Sequence, residues 1–185
     1  MSYKQKHPET CLAKCMIIIL EKIVKKKLPR DYEIKLLVDS FKYDRENISR
    51  GHIEKIVKNH SVQIDWFVDS KIFYNFTKRQ KLSKRINLQH KKINLELIKN
   101  LKTPLIIYLD RYYLWQKKQN LYYKYHWPHF LILEKAVKKG YKIIDPDDGK
   151  VKIIQKNNLL RTIMELKYRL WLSPMIIQIR PLKTM

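Results

Sequence analysis

Two cysteines stand close together near the start of the chain, in the stretch QKHPETCLAKC that covers residues 5–15. A thiol can attack a carbonyl once a base has taken its proton, and the reaction also needs a donor for the oxyanion that forms. Cys11 is the candidate nucleophile, and Gln5, six positions before it, is the candidate oxyanion donor. The simpler alternative is that Cys11 and Cys15 are both core residues.

The spacing of apolar residues predicts that Cys11 lies at the start of a helix. From Leu12 onward they recur at intervals of three and four, as on one buried helix face, and the pattern stops at the lysines before Pro29. The N-terminus of a helix carries partial positive charge, which favours a thiolate. Cys15 falls on the apolar face, where an unpaired cysteine behaves as a small hydrophobe. The two cysteines are therefore expected to have different roles.

A histidine and an aspartate stand at the two ends of a predicted β-hairpin. His129 precedes the apolar run FLIL and Asp145 follows YKII, with a turn over residues 138–140 between them. Folding the hairpin would bring together a base and the carboxylate that orients it. Asp145 also has a local interpretation, because an aspartate in a stretch such as DPDDG often accepts hydrogen bonds from its own downstream backbone. His126 is the nearest rival base.

The remaining histidines suggest no metal site. HWPH contains two histidines, but without further ligands nearby this spacing does not predict bound zinc. Neither a metal nor a cofactor is expected. Four histidines in polar stretches are interpreted as surface residues: His7, His52, His60 and His90.

The other elements predict an α+β domain with N-terminal helices packed on a mainly antiparallel sheet. Residues 69–92 are basic and show no clear period. No linker or repeat divides the chain, so residues 1–185 are expected to form a single domain. Beyond the first helix and the hairpin, the patterns predict helices over 49–59, 93–101 and 157–170 and strands over 62–68, 105–110, 151–154 and 175–180.

The net charge of +23 allows two interpretations. Such a charge attracts nucleic acids and acidic peptides, and nucleic-acid binding is the main alternative to an enzyme. The lysines are spread along the whole chain, however, and an AT-rich coding sequence would produce the same composition. Two cysteines do not form a disulfide framework, and no apolar run approaches the roughly 20 residues of a membrane-spanning helix, so a cytoplasmic protein is expected.

An aromatic and basic stretch from Arg111 to Pro128 joins the strand LIIYLD to His129. It is expected to border the cleft and to hold a peptide, with aromatic rings for apolar residues and lysines for acidic ones. The equally simple alternative is a loop that packs on its own domain. The candidate substrate-binding residues are Tyr112, Tyr113, Trp115, Tyr123 and Trp127.

Taken in order, QKHPETCLAKC, PLIIYLD, HFLIL and IIDPDDG resemble the papain-like cysteine peptidases that process bacteriocin leaders after a double-glycine motif. The resemblance runs from Gln5 to about residue 180 and is weakest between residues 25 and 92. It implies a papain-like fold with Cys11 as nucleophile, His129 as base, Asp145 as orienting carboxylate and Gln5 as oxyanion donor.

The resemblance also implies a substrate and a partner. Family domains sit at the N-terminus of peptide-exporting transporters, so a leader peptide and a membrane transporter are the expected partners. This chain departs from the family at Leu12, where a glycine usually follows the nucleophile and where a side chain could crowd the substrate. Hydrolysis, acyl transfer on the same triad, and an inactive protein that only holds leader peptides remain open alternatives.

Overall fold

The structure, a computed structural model, describes residues 3–7, 10–114 and 126–182. These residues form an α+β fold, and none of their helices is both long and apolar enough to cross a membrane. The helices of the described part are α1 (Cys11–Val24), α2 (Tyr32–Tyr43), α3 (Ile48–Asn59), α4 (Lys71–Arg79), α5 (Leu95–Asn100) and α6 (Lys156–Tyr168). Its strands are β1 (Val62–Val68), β2 (Ile86–His90), β3 (Leu105–Asp110), β4 (Pro128–Val137), β5 (Gly140–Ile144), β6 (Val151–Gln155) and β7 (Met175–Pro181).

The strands form one sheet in the order β2-β1-β7-β3-β4-β5-β6. Strands β1 and β2 run parallel, whereas every other described pair is antiparallel. The last strand, β7, lies between β1 and β3, so it joins the two halves of the chain. The α+β class and the mainly antiparallel sheet agree with the sequence-based prediction. Three helices, α1, α2 and α3, precede the first strand, and the other helices lie between strands along the chain.

The central strands face two separate cores, because successive side chains of a strand point to opposite faces of the sheet. On one face, Ile106 and Ile132 belong to the same cluster as most of the buried residues of α1. On the other face, Ile107 and Leu131 pack with Leu159 of α6. Each fully buried aliphatic side chain contributes about 1.5–3 kcal/mol. This packing holds α1 firmly against β4.

Three elements, α2, α4 and β2, have no counterpart in the sequence-based prediction. Helix α2 shows why, since Glu33 and Ser40 on this helix are buried while Ile34 and Phe41 are 38% and 47% exposed. Hydrophobic periodicity assumes that apolar residues point inward. In α2, Glu33 and Ser40 point inward instead, so hydrophobic periodicity does not identify the buried face of this helix.

Candidate active site

Helix α1 begins at Cys11 and places this residue over the sheet. Its fourth following residue, Cys15, donates its thiol to the carbonyl of Phe130 on β4 at 3.6 Å. Cys11 lies one turn nearer the N-terminus and is half-buried. The start of α1 is therefore held beside the start of β4, where His129 stands.

His129 and Asp145 are in hydrogen-bonding contact, as the hairpin suggested. His129 donates from Nε2 to Oδ1 of Asp145 at 2.9 Å, and both side chains are buried. Oδ1 of Asp145 also accepts the backbone N–H of Asp147 at 3.0 Å. The two interpretations of Asp145 therefore hold together, because the same oxygen stabilises the turn and accepts from the histidine.

Cys11 interacts with the imidazole of His129, whose Nε2 is already used by Asp145, closely enough to help raise the pKa of that ring. Burial alone would disfavour the charged ring, but the hydrogen bonds and the negative charges of Asp145 and Cys11 outweigh it and raise the pKa of His129 to about 10. A protonated His129 stabilises the fold fully below its ordinary pKa of 6.5, and this contribution is lost as the pH rises through about 10. The imidazole is thus held in the charged form that a thiolate partner requires.

Asp145 remains ionised although it is buried. Burial by itself would raise its pKa, but the hydrogen bond and charge of His129, the Asp147 amide and Lys152 together hold the pKa of Asp145 below its ordinary value. The ammonium group of Lys152 lies 3.8 Å from Oδ2, which accepts no hydrogen bond within the described residues. Asp145 can therefore act as a negatively charged acceptor over the physiological pH range.

Cys15 differs from Cys11 in its surroundings. It is fully buried in the cluster between α1 and the sheet, and burial raises the pKa of its thiol well above the ordinary value. Such a thiol stays protonated and packs as a small apolar group. Only Cys11 combines partial exposure with a histidine partner.

Gln5 lies beside the turn that follows Asp145. Its backbone N–H donates to the carbonyl of Pro146 at 2.6 Å, and its side chain is partly buried. The neighbouring Lys4 packs against Gly149, where a Cβ atom would stand 2.6 Å from the Lys4 nitrogen and where φ is +68°. The N-terminal segment thus runs along the edge of the triad.

Leu12 does not stand over the nucleophile. Only 5% of its surface is exposed, and it belongs to the core cluster of α1. Side chains of successive helical residues point about 100° apart, so a residue that follows Cys11 can turn into the core. The departure from glycine at this position fills the core rather than crowding the substrate.

Tyr108 of β3 is a site residue that the sequence analysis did not identify. Its ring stacks on Phe130 with centroids 4.3 Å apart and an angle of 25° between the planes. Burial, and with it the negative charge of nearby Cys11, raises the pKa of Tyr108, so its hydroxyl stays protonated. Its one sequence signal is that it alone carries a hydroxyl in the apolar run LIIYL.

The aromatic stretch is described only at its two ends. Tyr112 stacks on His126 with centroids 4.2 Å apart, whereas Trp127 is 54% exposed two residues before His129. Trp127 is therefore available to a ligand and Tyr112 is engaged within the protein. Trp115, Tyr123 and the side chain of Tyr113 lie outside the described residues.

His126, the rival base, belongs to a second cluster. Its Nδ1 is 2.5 Å from Oδ2 of Asp110, whose Oδ1 accepts the backbone N–H groups of Tyr112 and Trp127. Ligand-type atoms of Asp110, His126 and Glu165 lie within 4.8 Å of one another, a spacing that a metal ion could bridge. Both oxygens of Asp110 already accept hydrogen bonds, however, and these bonds hold together the chain on either side of residues 115–125.

The interpretation of His52 as a surface residue is wrong. His52 is 1% exposed on α3, and its Nδ1 is 2.8 Å from the carbonyl of Ile48. Burial lowers its pKa to about 4. The residue lies in a polar sequence, SRGHIEK, but the helix turns it inward.

No model of a known protein family, no curated protein and no solved structure matches this chain. The chemistry of the site must therefore be inferred from its geometry. Cys11, His129 and Asp145 form a connected series of a thiol, an imidazole and a carboxylate.

Proposed function

We propose that the protein is a papain-like cysteine peptidase that cleaves a peptide bond through Cys11, His129 and Asp145. The observation that carries the proposal is that one imidazole is hydrogen-bonded to a buried, ionised carboxylate and also interacts with a half-buried thiol at a helix N-terminus. A nucleophile, a base and an orienting acceptor in this order are the parts that acyl transfer needs. An N-terminal helix with the cysteine, packed on an antiparallel sheet with the histidine, supports the papain-like fold.

The sulfur of Cys11 attacks the peptide carbonyl carbon, and the carbonyl oxygen becomes an oxyanion. The side chain of Gln5 and the Cys11 amide donate to it, and one such donor lowers the barrier by about 3 kcal/mol. His129 then gives its proton to the leaving amine as the C–N bond breaks. In the second half, His129 takes a proton from water, the hydroxyl adds to the thioester, and the C–S bond breaks to release the acid and to restore the Cys11 thiolate beside protonated His129.

The sequence resemblance extends the proposal to the substrate and its setting. It makes the substrate a leader peptide with a double-glycine motif and the partner a membrane transporter, whereas the cytoplasmic location rests on the two unpaired cysteines. The strongly positive chain, with a net charge of +23, favours acidic segments in such a peptide. If an amine attacked the thioester in place of water, the same triad would catalyse acyl transfer.

The test is intact-mass measurement after incubation with a peptide electrophile that ends in Gly-Gly. We expect one adduct at Cys11, no adduct in Cys11→Ala, and labelling about 100-fold slower in His129→Ala, since a positioned base contributes at least that much. Unchanged labelling in His129→Ala would contradict the proposal. Product analysis with an acyl peptide and an added amine then separates hydrolysis from acyl transfer.

A further inference from the structure

Glu33 is a buried carboxylate that takes no part in the triad. It lies on α2 with 3% of its surface exposed. Its Oε1 accepts the backbone N–H of Lys6 at 2.7 Å and lies 2.5 Å from the hydroxyl of Thr10, which is also 2.6 Å from the carbonyl of His7. The ammonium group of Lys14 is 3.7 Å from Oε2. A charge in the interior is costly unless hydrogen bonds and a partner compensate it. These contacts supply that compensation.

The two residues that bond to Glu33 are neighbours of the two residues that would handle the oxyanion. Lys6 directly follows Gln5, and Thr10 directly precedes Cys11. Oε1 of Glu33 therefore contacts the chain at two places, one next to Gln5 and one next to Cys11. The helix α2 that carries it is packed against α1 and α3.

We propose that Glu33 is a positioning residue, which sets the distance between the side chain of Gln5 and the sulfur of Cys11. The inference rests on the proposed function. Glu33 acts only through Lys6 and Thr10 and would touch neither substrate nor reacting atoms. Because the N–H of Gln5 is separately bonded to the carbonyl of Pro146, removal of Glu33 releases the anchor at Lys6 and leaves this one in place.

Two reactions of the same thiol distinguish this role from general stabilisation. Iodoacetamide is attacked at a saturated carbon and forms no oxyanion, whereas p-nitrophenyl acetate is attacked at a carbonyl and does. A displacement of about 1 Å in a positioned group can cost about 100-fold in rate. We therefore expect Glu33→Ala to slow acylation of Cys11 roughly 10- to 100-fold and alkylation by no more than about threefold.

The chain offers matched variants. Thr10→Val should reproduce the loss, because it removes the hydroxyl at nearly constant volume, and Thr10→Ser should retain most of the acylation rate. Glu33→Gln keeps an acceptor oxygen and should fall between wild type and Glu33→Ala. The control is Asp31→Asn, an exposed carboxyl at the start of the same helix whose side chain forms no capping bond. All rates are measured well below the thermal midpoint of each variant.

A double-mutant cycle decides the question. If Glu33 acts through Gln5, Glu33→Ala should have almost no further effect on acylation in a Gln5→Ala background. Equal losses in both backgrounds, or equal losses of alkylation and acylation, would overturn the role of Glu33 and leave the triad intact. If wild-type Cys11 is not acylated in a manner that depends on His129, the proposed function and this inference both fall.

Discussion

Asp145→Asn is a test of charge at nearly constant geometry. In the protein Oδ1 of Asp145 accepts from His129 at 2.9 Å and from the Asp147 amide at 3.0 Å. The Asp147 amide needs an acceptor at that position, so the asparagine oxygen should take the place of Oδ1 and still accept from His129. The asparagine amino group then faces Lys152, which stands 3.8 Å from Oδ2.

The size of the effect follows from the loss of one negative charge. A hydrogen bond to a charged group contributes about 1.5–3 kcal/mol and one between neutral groups about 0.5–1.5 kcal/mol. The difference, about 1–1.5 kcal/mol, corresponds to roughly a tenfold change in an equilibrium or a rate. The variant should lower the pKa of His129 from its value of about 10, because the charge and the hydrogen bond of Asp145 both raise it.

The assay is the rate of alkylation of Cys11 by iodoacetamide across pH, followed by intact mass in a Cys15→Ala background that leaves one thiol. We expect Asp145→Asn to react about tenfold more slowly near pH 7 and Asp145→Ala to react more slowly still, because alanine also loses the acceptor. The matched control is Asp148→Asn in the same turn. If Asp145→Asn reacts as fast as this control, the charge of Asp145 does not act on the thiol and the reasoning is refuted.

Three further substitutions test the surrounding assignments. Cys15→Ala should lower the free energy of unfolding in urea by about 1 kcal/mol and leave alkylation of Cys11 nearly unchanged, and clearly slower alkylation would give Cys15 a part in the reaction. His126→Ala breaks a partly buried hydrogen bond and should cost about 1–3 kcal/mol of stability, whereas loss of alkylation would make His126 the base. His52 has a pKa lowered to about 4 by burial, so its contribution to stability is present above pH 6.5 and is lost as the pH falls, by about 3 kcal/mol at pH 4. Urea unfolding of wild type and His52→Gln between pH 7 and 4 measures this loss, and parallel curves would contradict it.

The start of α1 could be predicted because its information is local. Its apolar residues keep the spacing of one buried helix face from Leu12 onward, and the observed helix begins at Cys11. The same helical spacing predicted different roles for the two cysteines, since Cys15 falls on the buried face and is fully buried in the structure. Hydrophobic periodicity is sufficient to predict the buried face of a helix when that face consists of apolar residues alone.

Glu33 and Tyr108 could not be found in this way, because both act through residues distant in sequence. Glu33 is polar yet points inward, and its partner Thr10 is 23 positions away. Tyr108 lies in an apolar run that reads as a buried strand, and its proximity to Cys11 exists only after α1 has packed on β3 and β4. A single sequence contains no record of such contacts.

The hydrogen bond between His129 and Asp145 depends on an irregularity at Glu134 in β4, which the sequence pattern does not predict. Near the turn, Val137 pairs with Gly140, and beyond Glu134 the register has shifted so that Ile132 pairs with Ile144. A regular hairpin would instead place Asp145 opposite Ile132, on the face away from His129, because paired residues share a face and neighbours alternate. The extra residue in β4 reverses this, and the observed register, continued by one position, places Asp145 opposite Leu131, two residues from His129. A β-bulge at Glu134 thus turns the carboxylate toward the imidazole, which is a common use of bulges next to functional sites.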